Sequence, residues 1–451
     1  MAQAAPRRSA GSQPTERDGL GCSSRSLHCS SARMRRPWAA ALALLLRAAL
    51  LDAARLRQVL QHAHWDGGRG FVLELRNSGN VLYVADVAMG GQTLPAVYDT
   101  GSSQLFALSA RCQGCPQGHA TYSRGLSSSF APGRRQMEVH RFGSGTLLAA
   151  PGFEAVQIGG GRSPYRAERV PFLEILETRM DVWDNDSPFS AIFGMGRPGP
   201  NGEQALLPVL GVRCFSICLE RGTPAAPGWV SFGDSAGSLL RFTGPAKSIA
   251  LVEASYWAGE LTDMHMPGVL GADVCTPTCV AIVDTGTSVV TVPAQAAGLV
   301  ARLSALVSSR CHDRGRLPSL RFQLGGVPLE LPPEAYIVRS PGSTGCSHVF
   351  ASMDATSPLG PVWVLGLPFL RRYYTVFDWS AGRIHVAPSD PACAAPTMSL
   401  LNRTQGHVHA GDGRRVPMEV DLDRVRLPPW ASGGQVDLDI RTRVPGAVNA
   451  G

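Results

Sequence analysis

The sequence has almost no stretch with long helical periodicity and no unbroken apolar run of membrane-spanning length. The first absence, in a chain with 50 Gly and 34 Pro, argues for an all-β, turn-rich protein. The second leaves Trp38 to Leu51, a short apolar stretch broken by Arg47, so no stable membrane span is expected. Basic residues interleaved with aromatics are also missing. The net charge of +7 comes from scattered arginines, many of them in the N-terminal leader, and no nucleic-acid partner is expected. A four-ligand metal cluster is missing as well. Cys112-Gln-Gly-Cys115 with His119 offers three candidate ligands where structural zinc takes four. A loop disulfide with a surface histidine is the preferred reading there.

What is present is a short pattern written twice. Ala96-Val-Tyr-Asp99-Thr100-Gly101-Ser102-Ser103 returns as Ala281-Ile-Val-Asp284-Thr285-Gly286-Thr287-Ser288. In each copy β-forming apolar residues deliver the Asp at the end of a buried strand, and the Gly lets the chain turn. The hydroxyls of Ser102 and Thr287 can hydrogen-bond a carboxylate. Two such loops face to face bring two carboxyls within hydrogen-bonding distance, where like charges hold one shared proton. One carboxylate then takes a proton from water while its protonated partner polarises a peptide carbonyl. Each copy also has a downstream echo of apolar residues ending in Gly, Ser190-Ala-Ile-Phe-Gly194 and Trp363-Val-Leu-Gly366.

On these residues the chain resembles the pepsin-type aspartic endopeptidases over roughly residues 71 to 388. The resemblance implies an all-β, bilobal fold: two pseudo-symmetric, β-barrel-like lobes with an interlobe sheet and few short helices. The expected catalytic lobes are residues 71–248 and 249–388. Asp99 and Asp284 are then the catalytic pair. Ser102 and Thr287 orient their carboxylates, Thr100 and Thr285 brace the two loops, and Gly101 and Gly286 make the turns. The substrate-binding flap falls at Glu138 to Thr146, with Phe142, Gly143 and Ser144 at its end. Phe142 stands where the family carries Tyr, and Phe106 where it carries Trp, so an aromatic pair is expected in place of that contact. Disulfides similar to the family's are expected at Cys275–Cys279, Cys311–Cys346 and Cys112–Cys115.

Other expectations are more local. Cys214 and Cys218, about 13 Å apart on an extended strand, cannot bond to each other and are expected as core thiols. Pro293 suits the first position of a helix over Ala294 to Val307. Asp378 is expected at a structural turn, away from the chemistry. The implied reaction is peptide-bond hydrolysis at acidic pH beside bulky apolar residues, on a protein or peptide substrate, by a monomer needing no metal or organic cofactor. The alternative is a catalytically weak peptide-binding protein on the same fold. Phe142 and Phe106 favour it, and the two intact Asp-Thr-Gly loops oppose it.

The ends of the chain read differently. Residues 1–33 are polar and read as a disordered leader, with an upstream extension or an organelle-targeting presequence as the other readings. Arg33-Met-Arg-Arg36 before the apolar stretch makes residues 34–52 a secretory signal pattern, and 53–70 a short prosegment. The secretory reading, with eleven cysteines, points to secretion or to an acidic endolysosomal or vacuolar compartment. In the C-terminal extension, 389–451, Val420 to Arg424 and Val436 to Arg441 form either a hairpin across a Gly-rich turn or a disordered tail. Asn402-Arg-Thr404 is a glycosylation acceptor pattern.

Overall fold

The computed structural model describes residues 70–389 apart from 135, 143–144, 162, 181–182, 184–186, 199–203, 222–225, 237–238, 240–245, 253–254 and 308–313, together with 393, 418–419 and 436–437. The expected leader, signal and prosegment through residue 69, Cys311, Gly143, Ser144 and the Asn402 acceptor lie outside the described residues. The architecture is all-β with a few short helices, as the composition implies. Among the described residues one sheet has 14 strands and a second has 9.

The strand Gln92–Asp99 is reached by a tight hairpin from Leu82–Met89. Gly90 and Gly91 both have positive φ, 53° and 77°, and the pairing Met89↔Gln92 leaves them as a two-residue turn whose twist matches that of the strands. Gln92–Asp99 then runs parallel to Ala191–Gly194, with Asp99 opposite Gly194. On its far side Ala191–Gly194 pairs antiparallel with Leu105–Gln113.

The second copy of the pattern repeats this arrangement. Cys279–Val283 runs parallel to Gly360–Leu365, and Val290–Val292 pairs antiparallel with that strand's far side. Every residue of Cys279–Val283 and of Ala191–Gly194 is buried. A strand covered on both faces reads as a continuous apolar run, which is why these segments show no alternation in the sequence. Glycine at the strand ends is dictated by contact. A Cβ on Gly194 would sit 2.6 Å from the Gln104 backbone, and one on Gly366 would collide with the carbonyls of Thr287 and Val289.

Strands from distant parts of the chain join in one sheet. Cys214–Leu219 lies between Gly228–Gly233 and Tyr373–Asp378, and the latter continues through Arg383–Pro388 to Lys247–Ala250. Phe215 and Phe377 stack at 4.7 Å there, and Trp257 meets both edge-on at 5.8 and 5.1 Å. Such aromatic packing adds about 0.5–1.5 kcal/mol per pair beyond area burial.

Several expectations need adjusting. Cys218 is not a core thiol: it is disulfide-bonded to Cys393, Cα–Cα 5.8 Å, whereas Cys214 is free and buried. The partner lies 175 residues away in sequence, and strand spacing cannot reveal it. Cys112–Cys115 and Cys275–Cys279 are also bonded, and Cys346 is in a disulfide. Pro293 precedes the helical segment in extended conformation; a 3-10 turn over Ala294–Ala296 leads into the α-helix Ala297–Leu306. Asp378 ends a strand and accepts the Ala381 amide across the following turn at 2.9 Å. The described tail residues form no hairpin with each other. Met418–Glu419 lies parallel to Ile337–Arg339, and Val436–Asp437 lies parallel to Ala355–Ser357.

Replacing Cys218 and Cys393 together by Ala is expected to cost about 2–4 kcal/mol of stability, because the cross-link limits the unfolded chain. Thermal melts of the variant and the unreduced parent measure it, and coincident curves would refute it.

Candidate active site

Asp99 and Asp284 are both fully buried, each at the point where an apolar strand gives way to a turn. In each loop the glycine two residues on donates its amide to the Asp: Gly101 N–H to Asp99 Oδ1 at 2.9 Å and Gly286 N–H to Asp284 Oδ1 at 2.8 Å. The next hydroxyl takes the other oxygen, Ser102 Oγ to Asp99 Oδ2 at 2.7 Å and Thr287 Oγ1 to Asp284 Oδ2 at 2.5 Å. Each carboxyl therefore has both oxygens fixed by its own loop.

The loops are tied to each other by their threonines. Thr100 N–H donates to Thr285 Oγ1 and Thr285 N–H donates to Thr100 Oγ1, both at 2.9 Å. Each hydroxyl passes its own proton on to a carbonyl of the opposite loop, Thr100 to Val283 at 3.0 Å and Thr285 to Tyr98 at 2.7 Å. All six expected support residues, Thr100, Gly101, Ser102, Thr285, Gly286 and Thr287, are thus gathered around the two Asp side chains.

The glycines also set how closely the carboxyls approach. A Cβ on Gly101 would lie 2.7 Å from the Asp284 carboxyl, and one on Gly286 would overlap Asp99 Oδ1. The two carboxyls lie side by side, since a Cβ on Gly286 would also come within 3.2 Å of Asp284 Oδ1. Burial, followed by the charge of Asp99, holds the Asp284 carboxyl well above the ordinary carboxylate range, against the pull of the Thr287 hydroxyl and the Gly286 amide. Two carboxyls this close do not readily ionise together.

The flap region is a hairpin. Glu138–Phe142 pairs antiparallel with Gly145–Ile158, in register Phe142↔Gly145. The Phe142 side chain lies outside the described residues. Phe106, buried on the strand that leaves the Asp99 loop, meets His140 of the flap edge-on at 5.2 Å. His140 in turn approaches Glu138 at 3.1 Å.

Sequence reasoning missed His140. It gave no role to Trp257, whose indole N–H donates to the Met195 carbonyl at 3.0 Å, next to Gly194. An aromatic two positions ahead of the flap Phe was the available signal for the first. Nothing local signalled the second.

A pair of buried, closely apposed carboxyls on interlocked loops of a bilobal β fold defines the aspartic-dyad class of protein. The chain belongs to the eukaryotic aspartyl protease family, whose family model matches residues 82–389. It is 27% identical to cathepsin E-A of Xenopus laevis over 339 residues, which is 70% of this chain and 82% of that protein. It is 28% identical to pepsin A of Rhinolophus ferrumequinum over 335 residues, 70% and 83% of the two chains. Against pepsin A of Bos taurus the identity is 27% over 372 residues, 76% and 96%.

The raised Asp284 carboxyl has a thermodynamic consequence. Above about pH 4, where a free carboxyl ionises, the folded state holds a proton that the unfolded state has released. Stability from this group is therefore full below that pH and is lost as pH rises through the folded-state value. Denaturation midpoints are expected to fall with rising pH over that window, and Asp284→Asn should flatten the fall. An equal slope in both proteins would refute the assignment.

Proposed function

We propose that this protein is an aspartic endopeptidase that hydrolyses polypeptides at acidic pH with Asp99 and Asp284. The observation that carries the reading is the buried pair of carboxyls with Asp284 biased toward its protonated form. In this mechanism Asp99, ionised, accepts a proton from a water as its oxygen attacks the peptide carbonyl carbon. Protonated Asp284 delivers its proton to the carbonyl oxygen, giving a neutral gem-diol. The amide nitrogen then takes a proton from the Asp99 side as the C–N bond breaks, and the gem-diol collapses to an acid, returning its proton to Asp284. No covalent enzyme intermediate is formed.

The remaining roles are assigned on the same reading. Ser102 and Thr287 hold the carboxylates in orientation, and Thr100 and Thr285 keep the loops in place. The flap hairpin, with Phe142, Gly143 and Ser144 at its end, closes over an extended substrate through main-chain hydrogen bonds. Bulky apolar residues flank the cut bond. The disulfides support passage through an oxidising, secretory compartment, and the protein acts as a monomer. Among the described residues no helix is long and apolar enough to cross a membrane.

An internally quenched peptide library, scanned from acidic to neutral pH, tests this. Pepstatin-sensitive cutting at acidic pH, lost in Asp284→Asn, is the expected result. Peptide binding by the wild type without cutting would instead identify a binding protein on this fold.

Residue 142 gives a second test. Phe keeps an apolar wall but has no hydroxyl to orient the flap, so Phe142→Tyr is expected to raise kcat/KM several-fold. No change or a loss would show that the flap is oriented by other contacts.

A further inference from the structure

A cavity of about 400 Å³ opens in the first lobe beside the base of the flap. Neither Asp nor any of the hydroxyls that hold them lines it, so it is separate from the dyad. Its floor includes the buried side chains of Phe172 and Leu206, and its rim carries Gln104, Arg134, Glu138 and Gln204. An apolar floor with a few polar groups at the mouth is the composition of a ligand site.

The walls are continuous with the candidate active site. Gln104 accepts the Gly194 amide at 3.0 Å, and the Leu206 amide donates to the Ser103 carbonyl at 3.1 Å, one residue past Ser102. Glu138 opens the flap strand Glu138–Phe142. A polypeptide lying under the flap therefore has this cavity within reach of its flanking residues. The rim is electrostatically uneven. Glu138 is engaged by His140 at 3.1 Å, while exposed Arg134 has no ion-pair partner among the described residues. The free charge at the mouth is positive.

We propose that this cavity is an exosite, which receives a bulky apolar side chain of the polypeptide substrate away from the cut bond and pairs Arg134 with an adjoining acidic residue. The proposal rests on the endopeptidase reading above. It makes the protease selective for substrates that carry an apolar–acidic pair at a fixed distance from the cleavage point. Burial of one large apolar side chain is enough for a change of about tenfold or more in apparent affinity.

The test uses quenched peptides with one cleavable core and a Phe-Asp pair, or Ala-Ala, moved residue by residue along either flank. At one or two spacings kcat/KM for Phe-Asp should exceed that for Ala-Ala by about tenfold. Gln204→Trp, which fills the mouth, should return that ratio to about one, and Arg134→Glu should reduce it for Phe-Asp while sparing a Phe-Ala pair. The absence of a preferred spacing, or a ratio that survives Gln204→Trp, overturns the exosite. If no core peptide is cut at all, the endopeptidase reading fails separately. Fluorescence anisotropy of labelled Phe-Asp peptides on the Asp284→Asn chain then decides. Binding abolished by Gln204→Trp supports the exosite, and binding that is absent or unaltered overturns it.

Discussion

The reciprocal hydrogen bonds between Thr100 and Thr285 are the constraint on which the rest of the structure depends. Each threonine gives its amide to the other's hydroxyl, and each hydroxyl closes onto the carbonyl that precedes the opposite Asp. These groups are buried, so none can turn to solvent if a partner is lost, and an orphaned donor there costs about 1–3 kcal/mol. The two loops consequently have one mutual arrangement. The glycines then meet the opposite carboxyls, and the carboxyls meet each other.

The scaffold is nearly two-fold, and the differences between its halves bear on chemistry. Thr287 is fully buried against Asp284, while Ser102, which serves Asp99, is partly exposed. Val283 stands before Asp284 where Tyr98 stands before Asp99, its ring stacked on Phe193 at 4.6 Å and its hydroxyl bonded to the Asp86 carbonyl. Trp257 reaches from the second half of the chain to the Met195 carbonyl in the first. In a low-dielectric interior such small differences in wetting and polarity weigh heavily on where a shared proton rests. A symmetric frame thus carries two unequal carboxyls.

The parts of this design that were legible in the sequence are those encoded locally and twice. The apolar run into Asp-Thr-Gly, the hydroxyl behind it and the later apolar-apolar-Gly segment are each short, and their repetition makes them readable together. The all-β class followed from the turn residues. What stayed hidden depends on long-range proximity. Cys218 gave no sign of its bond to Cys393, because a strand's own spacing shows only which partners are too far away. The extension reads as a hairpin or a disordered tail, since alternation signals a strand without naming its neighbour. His140 was overlooked beside the more conspicuous change at Phe142, although its ring meets Phe106 edge-on.

The order of strands also carries a timing. The amide of Asp284 is held by the carbonyl of Leu365, and Cys214–Leu219 gains its second neighbour only when Tyr373–Asp378 is in place. A nascent polypeptide must therefore have been made at least as far as Leu365 before all the contacts around the carboxyl pair can form. Until then Asp99 sits in a loop whose brace has not been made. A chain made only as far as Asp284 has both carboxyls but not yet the contacts that hold them.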